Sequence, residues 1–174
     1  MNAAVFLDRD GVLNEPVVRE GRPYPPASLL ELIVVPDAPT SLARLKQRGF
    51  LLLVVTNQPD VRRGTSTQAA VELINKHLAE RLPLDDFFTC YHDDSDRCNC
   101  RKPLPGLFIK AASQYEIDLA RSYMIGDRWR DIDAGAAAGC RTILIDRRYN
   151  ERPSQSKPNY VARSLSEACD WILR

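Results

Sequence analysis

Asp8 and Asp10 stand two apart in Asp8-Arg9-Asp10-Gly11, directly after the apolar run at residues 3–7. Side chains at i and i+2 of an extended segment share a face, so both carboxylates can address one ligand. Two carboxylates placed this way suit phosphoryl transfer through an acyl-phosphate. One attacks phosphorus, and the other gives a proton to the leaving group and takes one from water. Attack by an anion on an anionic phosphate needs a cation between them. Carboxylates and water hold hard Mg²⁺, and Asp8, Asp127 and Asp131 are the candidate oxygen donors. The phosphate oxygens also need fixed donors. The Thr56 hydroxyl in Thr56-Asn57-Gln58 and nearby backbone amides would serve, with Lys102 of Arg101-Lys102-Pro103 as the candidate lysine.

A second constellation is Cys90, His92, Cys98 and Cys100. Four soft or borderline ligands so close in sequence suit tetrahedral Zn²⁺, and a closed four-ligand site is structural rather than catalytic. Asp93, Asp94, Ser95, Asp96, Arg97 and Asn99 between them offer no core, so a metal would hold the loop in shape. The loop leads straight into Arg101 and Lys102. The bland alternative is a loop with free thiols. Cys140 and Cys169 stand alone in apolar or helical surroundings and read as inert buried thiols.

The elements that must position these residues alternate along the chain. Residues 3–7, 50–55, 87–91, 122–125 and 142–145 read as strands, and the Leu/Val run at 50–55 as one buried on both faces. Helical patterns follow Pro36-Asp37, span 65–82 up to Pro83, and recur at 107–115, 131–139 and 165–173. This alternation predicts an α/β fold, a doubly wound parallel sheet with helices on both faces. In such a sheet the C-terminal strand ends converge on one crevice. Asp8/Asp10, Thr56-Asn57-Gln58 and Gly126-Asp127 with Asp131 each follow such an end, so one shared site is expected. Any one of them alone reads equally as a helix cap or turn. Residues 15–35, rich in proline, read as a flap with a hairpin at 29–35, and residues 147–158 as a surface connection.

The length, 174 residues, fits a single domain over 1–174 that carries the 15–35 flap and a zinc loop at 90–103. With 44% apolar and 27% charged residues, wholesale disorder is excluded. A net charge of +1 gives no field to draw the chain to nucleic acid or an anionic membrane. No apolar run approaches a membrane span, and Asp8 comes too early for a signal-peptide core, so a cytoplasmic protein is expected.

Phe6-Leu7-Asp8-Arg9-Asp10-Gly11-Val12-Leu13-Asn14 resembles the first motif of the haloacid dehalogenase superfamily of phosphatases. Thr56-Asn57-Gln58, Lys102 and Gly126-Asp127-Arg128-Trp129-Arg130-Asp131 resemble its second, third and fourth motifs, in order. The resemblance covers about residues 3–146 and implies a Rossmann-like fold without a large cap domain. It implies Asp8 as nucleophile, Asp10 as general acid and base, and Thr56 and Lys102 as phosphoryl-binding groups. It also implies Mg²⁺ on the Asp8 carboxylate, the Asp10 carbonyl and Asp127, with Asp131 one shell out.

The cysteine loop narrows the resemblance to the zinc-containing subgroup that holds the heptose bisphosphate and histidinol-phosphate phosphatases. Arg63-Gly64 and Lys102-Pro103-Leu104-Pro105-Gly106 favour the former. There the resemblance implies that Arg101 and Arg128 hold the substrate, with Asn57 and Gln58 along the sugar and Arg63 close by. Arginine reads phosphate bidentately, so a second substrate phosphate would give these arginines a purpose. The expected activity is Mg²⁺-dependent release of the 7-phosphate of a heptose 1,7-bisphosphate by a monomer that acts between kinase and nucleotidyl-transferase steps in the biosynthesis of nucleotide-activated heptose. The competing expectations are a histidinol-phosphate phosphatase and a non-catalytic zinc-loop binding module.

Overall fold

The computed structural model describes residues 1–174. β1 (Ala4–Leu7) lies at the centre of a six-stranded sheet, between β4 (Leu51–Asn57) and β6 (Tyr123–Gly126). β5 (Asp86–Cys90) flanks β4, while β7 (Arg141–Ile145) and β8 (Tyr160–Ala162) extend the other side, and every pairing is parallel. From β1 the chain builds outward to one edge, then returns to β6 and builds to the other. The place where it turns back lies between β1 and β6, where ligand crevices of open parallel sheets form.

The period-2 alternation of strand side chains divides the core into two layers. Val5, Leu7, Leu52 and Val54 pack on one face with Leu42 and Leu45 of α1 (Ala38–Gln47). Ile74 and Leu78 of α2 (Gln68–Ala79) join them, as do Leu165 and Ile172 of α5 (Leu165–Ile172). Ala4, Phe6, Leu53 and Val55 face the other way, against Leu107 and Phe108 of α3 (Gly106–Tyr115) and Ala134 of α4 (Trp129–Ala138). Both faces of β1 and most of β4 are therefore fully buried, which is why these strands read as unbroken apolar runs. Thr67 caps α2, its hydroxyl accepting from the Ala70 amide at 3.1 Å. No helix is long and apolar enough to cross a membrane.

Two expectations are corrected. The hairpin forms not at 29–35 but between β2 (Val17–Arg19) and β3 (Arg22–Tyr24). Its two-residue loop, Glu20-Gly21, has both φ angles positive, at 50° and 73°, the turn geometry that matches strand twist. Residues 29–35 instead run as a loop whose Val34 makes one antiparallel bridge to Asn14. The region after 158, assigned to no strand, supplies the edge strand β8. The small hairpin is the only second sheet, so no large cap stands over the strand ends.

Candidate active site

Lys102 Nζ, almost wholly buried, is the hub of the site. It donates to the Val55 carbonyl at 2.7 Å and lies 2.6 Å from Asp131 Oδ1 and 3.0 Å from Asp8 Oδ1. Burial works against its positive charge, but Asp131 and Asp8 outweigh that and hold its pKa above the usual lysine value. Asn57 seats the lysine's backbone: its Nδ2 donates to the Lys102 carbonyl and its Oδ1 accepts the Lys102 amide, both at 3.0 Å.

Asp8 leaves β1, Thr56 lies on β4 next door, and Asp127 leaves β6 on the opposite flank. Carboxylate oxygens of Asp8, Asp127 and Asp131 all lie within 4.8 Å of one another, and all three residues are buried. Burial, then the charge of Asp131, raises Asp8 to about 6 despite the pull of Lys102. Burial, Asp8 and Asp131 likewise push Asp127 well above the carboxylate range. Three carboxylates against one lysine leave negative charge that a divalent cation would neutralise. Asp127 Oδ1 is buried without a hydrogen-bond partner, as an oxygen meant for a metal would be. The donor set is all oxygen, so Mg²⁺ fits it.

The Asp10 carboxylate is held by four donors. Oδ1 accepts from Arg9 Nε at 3.2 Å and Asn14 Nδ2 at 3.0 Å; Oδ2 accepts from Arg9 at 3.1 Å and Gln58 Nε2 at 2.8 Å. Arg9 is fully buried, and its remaining arm reaches Asn75 of α2 at 3.0 Å. Gln58 also donates to the Thr56 hydroxyl at 3.0 Å and is buried behind Asp10. Expected along the sugar, it is not among the residues that line the cleft, because its amide is spent on Asp10 and Thr56.

Above this floor opens a cleft of about 280 Å³, lined mostly by polar and charged residues. Asn57, Arg63, Arg101 and Arg128 reach it, joined by Arg22 and Tyr24 of the hairpin and by Arg130. Four of these arginines are tethered by acids. Arg63 grips Asp93 at 2.7 Å, and Arg101 donates to Asp94 at 2.8 Å. Arg130 lies 3.2 Å from the same Asp94, and Arg128 is paired bidentately with Glu151. The Arg130 and Arg152 guanidiniums lie over the Trp129 ring at 4.5 and 3.4 Å. An arginine rim over an acidic, lysine-bearing floor matches a ligand with a reacting phosphate and a second anionic group.

The four cysteine-loop ligands converge. Cys100 Sγ lies 3.1 Å from Cys90 Sγ and 3.3 Å from His92 Nδ1, and Cys90 Sγ 3.9 Å from Cys98 Sγ. In a tetrahedral zinc–thiolate site the sulfurs stand about 3.8 Å apart, so the set fits Zn²⁺. Burial, with Cys100 as hydrogen-bond partner, pushes the Cys90 thiol far up, so a thiolate there would need a metal beside it. Asp93 and Asp94, which hold Arg63 and Arg101, sit on this loop. Cys140 and Cys169 are buried, each raised to about 12 by burial.

Residues 26–139 match the model of the haloacid dehalogenase-like hydrolases, a span that contains Thr56, Lys102, Asp127 and Asp131. This chain belongs to the haloacid dehalogenase-like hydrolases. The hydrolase is 36% identical over 98% of its length to D-glycero-beta-D-manno-heptose-1,7-bisphosphate 7-phosphatase of Escherichia coli O6:H1, covering 88% of that protein. It is 33% identical to the enzyme of the same name from Helicobacter pylori J99, over 98% of this chain and 97% of the relative. Its fold superposes with a TM-score of 0.84 on the D,D-heptose 1,7-bisphosphate phosphatase of B. bronchiseptica, solved with magnesium and phosphate. That pair is 31% identical and covers 99% and 98% of the two chains. The hydrolase is thus a phosphatase by kinship as well as by the residues on its floor. The spacing of the motifs pointed to most of these residues; Arg9, Arg22, Arg130, Glu151 and Tyr149, whose hydroxyl donates to Asp127 Oδ2, it did not. For Arg9 the signal was its place between the two aspartates and for Arg130 its place within residues 126–131; for Arg22, Tyr149 and Glu151 there was none, since only the fold brings them over the strand ends.

Proposed function

We propose that this phosphatase releases the 7-phosphate of D-glycero-D-manno-heptose 1,7-bisphosphate, the whole chain acting as one catalytic domain. The observation that carries the reading is the pairing of one reacting centre, Asp8 with Lys102, with a rim of arginines that a single phosphate would leave unused. Asp8, Asp127 and the Asp10 backbone carbonyl would hold Mg²⁺, with Asp131 behind them. When bound, the ion supplies positive charge against the phosphate oxygens and the carboxylates.

The residues of the chain then divide the work. Lys102 and the Thr56 hydroxyl hold the transferring phosphoryl group over Asp8. An Asp8 oxygen forms a bond to phosphorus as the bond to the sugar oxygen breaks, and Asp10 gives that oxygen a proton. Water then attacks phosphorus and passes a proton to Asp10, phosphate leaves, and the Asp8 carboxylate is restored. Before it can exchange a proton, Asp10 must give up one of its four donors. Arg101, Arg128 and Arg63 would receive the distal phosphate by trading carboxylate partners for it, and Asn57 would meet the sugar. Zn²⁺ on Cys90, His92, Cys98 and Cys100 would keep the loop that presents Arg101 in shape. We place the enzyme in the cytoplasm, where thiols stay reduced, acting as a monomer in the supply of nucleotide-activated heptose.

The test is phosphate release, with Mg²⁺, from both anomers of the bisphosphate and from histidinol phosphate, side by side. The expected preference in kcat/KM for the bisphosphate is about a hundredfold, some 2.7 kcal/mol of transition-state discrimination. A preference for histidinol phosphate overturns the substrate assignment and leaves the phosphatase floor standing.

A further inference from the structure

The loop between β7 and β8 lies beyond the residues that match the family model, yet it touches three parts of the site. Arg147 donates twice to the Gly11 carbonyl, at 3.1 and 2.9 Å, and pairs with Glu15 at 2.8 Å. The Tyr149 hydroxyl donates to Asp127 Oδ2 at 2.8 Å, and Glu151 holds Arg128. The Asn150 amide donates to the Gly21 carbonyl at the hairpin tip, at 3.3 Å. The first part of the loop is therefore tied down at Arg147, Tyr149, Asn150 and Glu151.

Asp127 is confined from two sides. A Cβ placed on Gly11 would lie 1.7 Å from Asp127 Oδ2, so the carboxylate rests on the Gly11 backbone, which Arg147 holds in place. Tyr149 engages that same Oδ2. A carboxylate with one oxygen fixed has one rotational setting left, and here that setting leaves Oδ1 buried with no partner in the protein.

We propose that Tyr149 is a positioning residue for the divalent cation: its hydroxyl fixes Asp127 Oδ2 so that Oδ1 is presented, already desolvated, to Mg²⁺. The inference rests on the reading of Asp127 as a metal-holding carboxylate. Partners one shell out from a ligating carboxylate act through its orientation, and their removal costs 10–100-fold in metal affinity. A merely structural Tyr149 would fill space with its half-buried ring, which phenylalanine would do as well.

The experiment is calorimetric titration of Mg²⁺ alone into magnesium-free, zinc-loaded protein, wild type against Tyr149→Phe, with the melting temperature of each magnesium-free form. The dissociation constant for Mg²⁺ should rise about tenfold while the two melting temperatures coincide. An unchanged Mg²⁺ affinity overturns the proposal. So does a lower melting temperature with affinity intact, which would assign the hydroxyl to the fold. Failure of the wild-type protein to bind Mg²⁺ would instead strike the metal reading of Asp127, and the titration needs no substrate to tell the two apart.

Discussion

Each of the buried carboxylates at the strand ends carries a cost that the fold does not relieve alone. Asp8 is raised to about 6 because it is desolvated beside Asp131 and Asp10, with only Lys102 as a close counter-charge. Asp8→Asn removes that charge along with the only carboxylate suited to attack phosphorus. Phosphate release should fall by on the order of 10³-fold or more. The metal-free melting temperature at neutral pH should not fall, because Lys102 keeps Asp131 at 2.6 Å. Residual Mg²⁺-dependent turnover near the wild-type rate would refute Asp8 as nucleophile.

At the scale of elements, the cysteine loop and the hairpin do what helices and strands do elsewhere, without a core of their own. The loop's four candidate metal ligands converge, and through Asp93 and Asp94 it holds Arg63, Arg101 and Arg130. Cys98→Ala should therefore lower zinc content and melting temperature together, and raise KM for the bisphosphate more than it lowers kcat. Metal analysis beside a thermal melt checks this, and a variant that keeps both would remove zinc from the account. The hairpin brings Arg22 and Tyr24 to the mouth of the cleft, and its tip is tied to the β7–β8 loop.

For the whole molecule, the raised carboxylates link stability to pH and to metal. A carboxylate whose folded pKa exceeds its unfolded value contributes stability that is present below the unfolded pKa. For Asp8 that contribution is lost as pH rises through about 6, and Asp127 acts in the same direction. Mg²⁺ binds the ionised forms, so protons compete with it. Saturating Mg²⁺ should raise the melting temperature more at about pH 7.5 than at about pH 5. Equal shifts at both pH values would show that Asp8 and Asp127 do not hold the ion.

The sequence by itself determined the alternation of elements, the three polar clusters at strand ends and the two ligand sets. Each of those signals is local: a buried strand must be apolar at every position, and two aspartates leaving it must be neighbours. The tertiary structure decided what distant segments do to one another. Gln58 sits next to Asn57, yet one lines the cleft and the other braces Asp10, because the Gln58 amide is spent on Asp10 and Thr56. The Glu20-Gly21 turn was missed because its geometry, not a strong turn pair, makes the hairpin. Arg147 meets Gly11 across a separation of 136 residues, and Tyr149 meets Asp127, only because β1, β6 and β7 are adjacent in the sheet. Strand order is set by burial summed over the whole chain, and no local pattern of residues encodes it.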